Sequence, residues 1–178
     1  VELRTKIKLN VGFPTKSLSD SQLPVDGVGL ARIEFVLSSE VKIHPLAFIH
    51  HAALQRYLEY GEMAEELAPY ASRLESEDDA AILAVVEEVG RRGALYDDVR
   101  YLFIDKLREG VGLICAAFHP RPVLVRLSDL KSNEYRELLG GRLFEPTEEN
   151  PMIAWRGASR YLDPKFLPAF EMEMRAMA

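Results

Sequence analysis

An α/β fold with parallel strands is the class this sequence predicts, and three observations predict it. Short segments with a period of two, or a continuous apolar run, occupy residues 5–11, 26–37 and 123–127. Apolar residues at helical spacing fill most of the interval 45–118. The resulting order of strand, helices and strand is the one parallel sheets need, because parallel neighbours are joined by long crossovers rather than tight turns.

The first strand is expected over Thr5–Val11, where apolar and polar residues alternate, and Gly12 and Pro14 stop it. A Ser-rich connection leads to Asp26–Leu37, mostly apolar with charges only at the alternate positions Arg32 and Glu34, which reads as a second, largely buried strand. From Pro45 the period becomes helical. Leu54, Tyr57 and Leu58 share one face, as do Ile82, Val85, Val86 and Val89, and again Val99, Leu102, Phe103 and Leu107. Ser76 with Asp79 three residues later is a variant capping box, and Gly90 and Gly93 mark the end of that helix. Pro120 and Pro122 break the helical run before the strand Val123–Leu127. After a Gly140-Gly141 turn and an acidic loop, Met152–Gly157 is expected as a fourth strand, and Pro164–Met177 as a closing helix built on Phe166, Leu167, Phe170 and Met174. No internal repeat, low-complexity tract or shift in composition divides the chain, so it reads as one domain or part of one.

Composition narrows the function. A length of 178 residues with 48% hydrophobic content supports a sizeable core. Lys and Arg total 22 against 28 Asp and Glu, a net charge of −6 that argues against general affinity for nucleic acid or anionic membranes. Any anion must therefore be caught locally. No apolar run reaches the roughly 18 residues of a candidate membrane span. The single cysteine, Cys115, excludes an internal disulfide, and no leader-like segment opens the sequence, so a cytoplasmic location is expected.

Three arginines carry the functional reading. Arg32, Arg126 and Arg156 each lie within or at the end of an apolar segment read as a strand, where an unpaired charge is costly. A guanidinium offers a planar fork suited to carboxylate or phosphate, so arginines converging at strand ends would bind a small polyanion. Each equally suits a structural ion pair with Glu34 or Asp129, and spacing alone leaves both readings open. Arg160 is expected to anchor the acidic run Glu145–Glu149, and Trp155 to pack on the side of its strand opposite Arg156. The four histidines, His44, His50, His51 and His119, form no metal set: His50 and His51 are expected on a solvated helix face, and Cys115 with His119 is read as packing. Gly27-x-Gly29 fails as a nucleotide fingerprint, because Arg32-Ile33 stands where the third glycine would be.

The stretches GVGLARIEFVL (27–37), HPLA (44–47), RPVLVRLSDLKSNEYRELLGG (121–141) and EENPMIAWRGASRY (148–161) together resemble the phosphoenolpyruvate synthase family of PEP-utilising enzymes, in that family's order and over nearly the whole chain. The related pyruvate phosphate dikinases and phosphotransferase-system enzymes I share only looser forms of these motifs. The resemblance implies a partial (β/α)8 barrel of the TIM type, its first strands present, within the C-terminal domain that binds pyruvate and phosphoenolpyruvate. It implies that Arg32 and Arg126 bind substrate, that Arg156 helps hold the phosphate, and that residues from about 50 to 97 form a helical insertion. The family's phosphohistidine motif, magnesium carboxylates, acid cysteine and ATP-binding region have no counterpart here, so the chain is expected to be a fragment that is inactive alone. The implied reaction is ATP, pyruvate and water to AMP, phosphoenolpyruvate and phosphate. The expected partners are pyruvate or phosphoenolpyruvate, the remaining domains of the enzyme, Mg2+ held elsewhere, and further copies of the chain. Alternatives are the barrel of a related dikinase or enzyme I, or a noncatalytic binding module.

Overall fold

A computed structural model describes residues 4–153 and 155–178. Strands β1 (Leu9–Val11), β2 (Val28–Arg32) and β3 (Val123–Arg126) form one parallel sheet in the order β1-β2-β3. A short helix α1 (Ser17–Asp20) lies between the first two strands. The crossover from β2 to β3 is long and helical: α2 (Ile33–Val36), α3 (Pro45–Ile49), α4 (His51–Tyr60), α5 (Ala71–Leu74), α6 (Asp79–Gly93) and α7 (Arg100–Phe118). Four more helices follow β3: α8 (Ser132–Arg136), α9 (Gly141–Phe144), α10 (Ala158–Tyr161) and α11 (Leu167–Met177).

Two apolar clusters hold these elements together. Val11, Val28 and Ala31 from the sheet pack on Ile114 and Phe118 of α7 in the smaller one. The larger lies among the helices, where Leu102, Phe103 and Leu107 from the other half of α7 meet Ile33 and Val36, Ile82 and Val89, and Phe166 and Met172. The long helix α7 thus belongs to both clusters and couples sheet to helices. Gly110 allows its close approach to α2, since a Cβ there would stand 2.4 Å from Val36 Cγ1.

Several expectations are corrected. The apolar run 26–37 is a strand only through Arg32; at Ile33 the chain turns into α2 and then into a π-helical turn, Leu37–Val41, which ends at Lys42 in the left-handed region (φ 63°). Arg92 of α6 bonds the carbonyls of Val41 and Glu40 at 2.6 and 2.9 Å, satisfying acceptors that this turn leaves free. The first strand is shorter than expected: Ile7 meets Asp26, whose backbone N–H donates to the Ile7 carbonyl while its side chain accepts the Ile7 N–H in place of a second backbone bond. Asp78, not Ser76, caps α6, accepting from the Ala80 N–H at 3.2 Å, and Gly90 lies inside that helix. The expected strand at 152–157 is absent among the described residues, with Ala154 lying outside them. Side chains hold that segment: Asn150 Oδ1 accepts from Met152 N–H and Glu148 Oε1 from Trp155 N–H, so these amides have no ladder to join.

Candidate functional site

Arg32 and Arg126 are the last residues of β2 and β3, and they are register partners across the ladder. Like charges directly opposite repel, and Glu34, two residues past the end of β2, relieves the pair. Glu34 Oε1 accepts from Arg126 Nη2 at 2.5 Å and from the Asp129 backbone N–H at 2.9 Å. Arg32 makes no ion pair among the described residues. Its guanidinium instead lies 4.9 Å above the Phe35 ring, with Nε buried and unpartnered. Gly12 makes room for that ring, because a Cβ there would meet Phe35 Cδ2 at 2.7 Å. The chain continuing from β1 therefore shapes the seat of Arg32.

Arg156 arrives from a turn, not from a strand, and meets the same group of residues. Its Nε and Nη2 donate to the two carboxylate oxygens of Asp129 at 2.7 and 3.0 Å, a fork-to-fork pair, while Arg126 Nη1 stands 3.3 Å from Asp129 Oδ2. The Arg156 bond holds the Asp129 carboxyl below its ordinary range, and Asp129 in turn raises Arg156. Asp129 stays an anion that both arginines share. Arg32, Arg126 and Arg156 all line one cleft of about 390 Å3 at the carboxyl ends of the parallel strands, the place where such sheets hold ligands. Lys131 is the fourth cation on its wall. The acids Glu34, Asp129, Glu134 and Glu137 complete its charged lining. Arg126 and Arg156 have the acid partners that the ion-pair reading names, and all three arginines border a common space.

Beneath the cleft lies a network that the sequence reading missed. Ser128, one residue before Asp129, donates to Glu173 through its backbone N–H (2.7 Å) and its hydroxyl (2.6 Å). Tyr135 Oη donates to Ser128 Oγ at 3.1 Å, and Tyr161 Oη donates to the Ser128 carbonyl. Burial pushes the Glu173 carboxyl up, against the pull of the two Ser128 bonds. A signal was available: Ala169, Met172, Glu173 and Ala176 are the buried residues of α11, spaced i, i+3, i+4 and i+7, so a carboxylate sits in the apolar stripe.

A second buried cluster supports the segment that carries Arg156. Arg160 and Glu145, both almost fully buried, form a two-bond pair with Nη2 to Oε2 at 2.8 Å, the partnership expected for the acidic run. Arg160 also bonds the Trp155 carbonyl through Nε (3.2 Å) and Nη2 (3.1 Å), which fixes the backbone immediately before Arg156. Trp155 lies 4.0 Å from the Arg160 guanidinium and edge-on to Phe166, a packing role. His44 completes the cluster. Its Nδ1 accepts the Leu46 N–H at the start of α3, which leaves the proton on Nε2, 3.0 Å from Glu145 Oε1. Burial lowers the His44 pKa despite that carboxylate. For Glu145 burial opposes ionisation, yet Arg160 and His44 together hold it below the ordinary carboxyl value.

The solvated face expected for His50 and His51 is overturned. His50 is buried against Tyr70 and Phe144, and His51 Nε2 lies 3.0 Å from the Val86 carbonyl, joining α4 to α6. Cys115 is exposed on α7. Among the described residues no three His, Cys, Asp or Glu side chains gather as a metal set, and no helix is long and apolar enough to cross a membrane.

Residues 2–178 match the model of the PEP-utilising enzyme family's PEP-binding domain. Phosphoenolpyruvate synthase of Synechocystis sp. is 44% identical over 174 residues, covering 98% of this chain and 18% of that protein. The Deinococcus radiodurans synthase is 44% identical over 176 residues, with 99% and 19% covered, and the Escherichia coli synthase 35% identical over 176 residues, also with 99% and 19%. The chain spans about a fifth of the length of these relatives. With its match running from residue 2 to residue 178, the chain belongs to the PEP-utilising enzyme family, in the part that forms the PEP-binding domain.

Proposed function

We propose that this chain supplies the pyruvate- and phosphoenolpyruvate-binding cleft of a phosphoenolpyruvate synthase, an enzyme converting ATP, pyruvate and water to AMP, phosphoenolpyruvate and phosphate. Arg32 supports this most directly: it faces the cleft beside two other arginines and has no acid partner among the described residues. A half-buried guanidinium with a buried, unpartnered Nε leaves donor capacity that an arriving anion would use. Phosphoenolpyruvate brings two, a carboxylate and a phosphate.

In this reading each arginine keeps N–H groups for the ligand. Arg126 gives one Nη2 N–H to Glu34 and holds Nη1 near Asp129, and Arg156 uses Nε and one N–H of Nη2 for Asp129 and one of Nη1 for Met152 Sδ, leaving both with donors to spare. The acids fix the forks so that the remaining donors converge, which stabilises the enolate oxygen and the incoming phosphoryl charge by position and electrostatics. Magnesium, implied by the family, does not fit these residues, since Glu34 and Asp129 aim oxygens at arginines and, among the described residues, no third carboxylate gathers with them as a metal set. No step is routed through it, and its ligands, the phosphohistidine and the ATP site are assigned to other parts of the enzyme. The sheet is read as an arc of a (β/α)8 barrel, residues 50–97 as a helical insertion in it, and the location as cytoplasmic.

The test is Arg32→Lys and Arg126→Lys in the full-length protein. Lysine keeps the charge and loses the fork. Phosphoenolpyruvate formation should fall at least ten-fold, a loss of about 1.4 kcal/mol or more in transition-state binding, with thermal unfolding unchanged. Unchanged kinetics and unchanged pyruvate dependence would remove these arginines from the site.

A further inference from the structure

Glu173 stands out because it is a carboxylate where stability would favour an apolar side chain. It is 2% exposed on the core-facing stripe of α11, with Ala169, Met172 and Ala176 on the same stripe, and its bonds are to Ser128, with no basic partner among the described residues. A methionine of similar length would fill the same space without a desolvated charge. Both Glu173 bonds converge on the residue next to Asp129. Ser128 is also held by Tyr135 and Tyr161, so every polar group of that one serine is engaged: the backbone N–H by Glu173, the hydroxyl by Glu173 and Tyr135, and the carbonyl by Tyr161. Asp129 follows immediately, its own N–H bound by Glu34 and its side chain shared by Arg126 and Arg156.

We propose that Glu173 is a positioning residue for the cleft: by clamping Ser128 from the closing helix, it fixes the Asp129 carboxylate against Arg126 and Arg156, and so sets the fork geometry that meets the substrate anion. This rests on the proposed reading of the cleft. The path is short and covalent at its centre. Glu173 holds Ser128 by its N–H, which belongs to the peptide before it, and by its hydroxyl. The next peptide, between Ser128 and Asp129, is held by Tyr161 at its carbonyl and by Glu34 at its N–H, so a shift of Ser128 would swing the carboxylate that two arginines share. Ser128 Oγ, donating to Glu173 and accepting from Tyr135, fixes the side chain of that serine as well as its backbone.

The experiment uses full-length protein carrying Glu173→Met, Glu173→Gln or Ser128→Ala, with Arg32→Lys beside them. Phosphoenolpyruvate affinity is measured by calorimetry, KM for pyruvate and kcat by steady-state kinetics, and the thermal midpoint by scanning. Glu173→Met should retain or raise the thermal midpoint while weakening phosphoenolpyruvate binding about ten-fold, the worth of one charged hydrogen bond. Glu173→Gln, whose amide oxygen still accepts the Ser128 N–H, should recover most of that loss, and a purely structural role would show no such rescue in affinity. Ser128→Ala should weaken binding several-fold, and it decides the matter if Glu173→Met does not fold. Unchanged affinity and KM in Glu173→Met, or in Ser128→Ala where the former is insoluble, would overturn the positioning role while Arg32→Lys still lost binding. If Arg32→Lys also bound phosphoenolpyruvate normally, the cleft reading itself would fall.

Discussion

Arg156 and Asp129, 27 residues apart in sequence, meet through two parallel bonds of 2.7 and 3.0 Å, and this contact brings a turn residue into line with two arginines at strand ends. Both side chains are about a quarter exposed, so the pair adds little to stability and its effect is on orientation.

Asp129→Asn should therefore separate the two. Stability should change by less than about 1 kcal/mol, as for other solvent-screened pairs. Phosphoenolpyruvate affinity should drop about ten-fold, since the neutral amide offers one acceptor oxygen where the carboxylate offered two. Calorimetric titration with parallel denaturant melts checks this, and a large stability loss with intact binding would contradict it.

Arg160→Met should act in the opposite proportion. Arg160 and Glu145 are both almost fully shielded from water, so removing one leaves the other charged and uncompensated. The expected loss is about 3–5 kcal/mol in a urea melt. Arg160→Met combined with Glu145→Met should restore much of it.

Acid should weaken the fold in two stages. His44 and His50 have pKa values lowered by burial from the ordinary 6.5, so the unfolded chain binds more protons just below that value. Their contribution is complete above pH 6.5 and is lost as pH falls toward their folded values. Asp129 and Glu145, depressed from 3.8 and 4.5, hold theirs above the carboxylate range and lose it at lower pH. Glu173, raised, works the other way and costs stability as pH climbs above 4.5. The thermal midpoint should decline from pH 7 to 5 and more steeply below 4.5. His44→Asn, which keeps an acceptor for the Leu46 N–H, should flatten the upper stage.

Gly12→Ala should perturb Arg32 without touching it. The new methyl meets Phe35 at 2.7 Å, and Phe35 carries the Arg32 guanidinium. Overpacking of this kind costs about 1–3 kcal/mol, and phosphoenolpyruvate affinity should fall with it. A variant destabilised yet binding normally would detach Phe35 from the site.

The purified 178-residue chain should self-associate. Among the described residues the outer edges of β1 and β3 have no ladder partner, and Ile7 and Leu124 beside them are 50% and 55% exposed. Unpaired edges recruit strands. Light scattering should report more than one copy, and a stable monomer would contradict this.

The sheet and its arginines were legible because strands carry local signals: alternation before Val11, a valine-rich run at 123–125, and an arginine at the end of β2 and of β3. The turn at Ile33 was not, since a buried apolar run looks alike as strand or helix, and α7 packing on Val36 decides it. Met152–Gly157 misled in the same way, although Asn150-Pro151 was a turn signal within the quoted motif. His50 and His51 read as a solvated face because adjacent histidines on a helix point different ways and the sequence fixes no third ligand beside them. Their partners Tyr70, Phe144 and Val86 come from distant segments that local periodicity does not connect. Arg160 with Glu145 could be anticipated from proximity, whereas Glu173 with Ser128, 45 residues apart, could not.

The charged lining of the cleft has a kinetic consequence. Four cations, Arg32, Arg126, Lys131 and Arg156, face four acids, Glu34, Asp129, Glu134 and Glu137, and they sit in a chain of net charge −6. Formal balance leaves no broad positive field to draw a multiply charged anion from beyond the Debye length of roughly 8 Å at physiological salt. On the proposed reading of the cleft, this chain's charges leave ligand encounter unsteered, with added salt expected to leave the association rate level or slightly higher by screening the chain's own repulsion. Discrimination among anions falls to residence time, set by how long a ligand's two charged ends can stay seated in forks that the neighbouring acids already hold still.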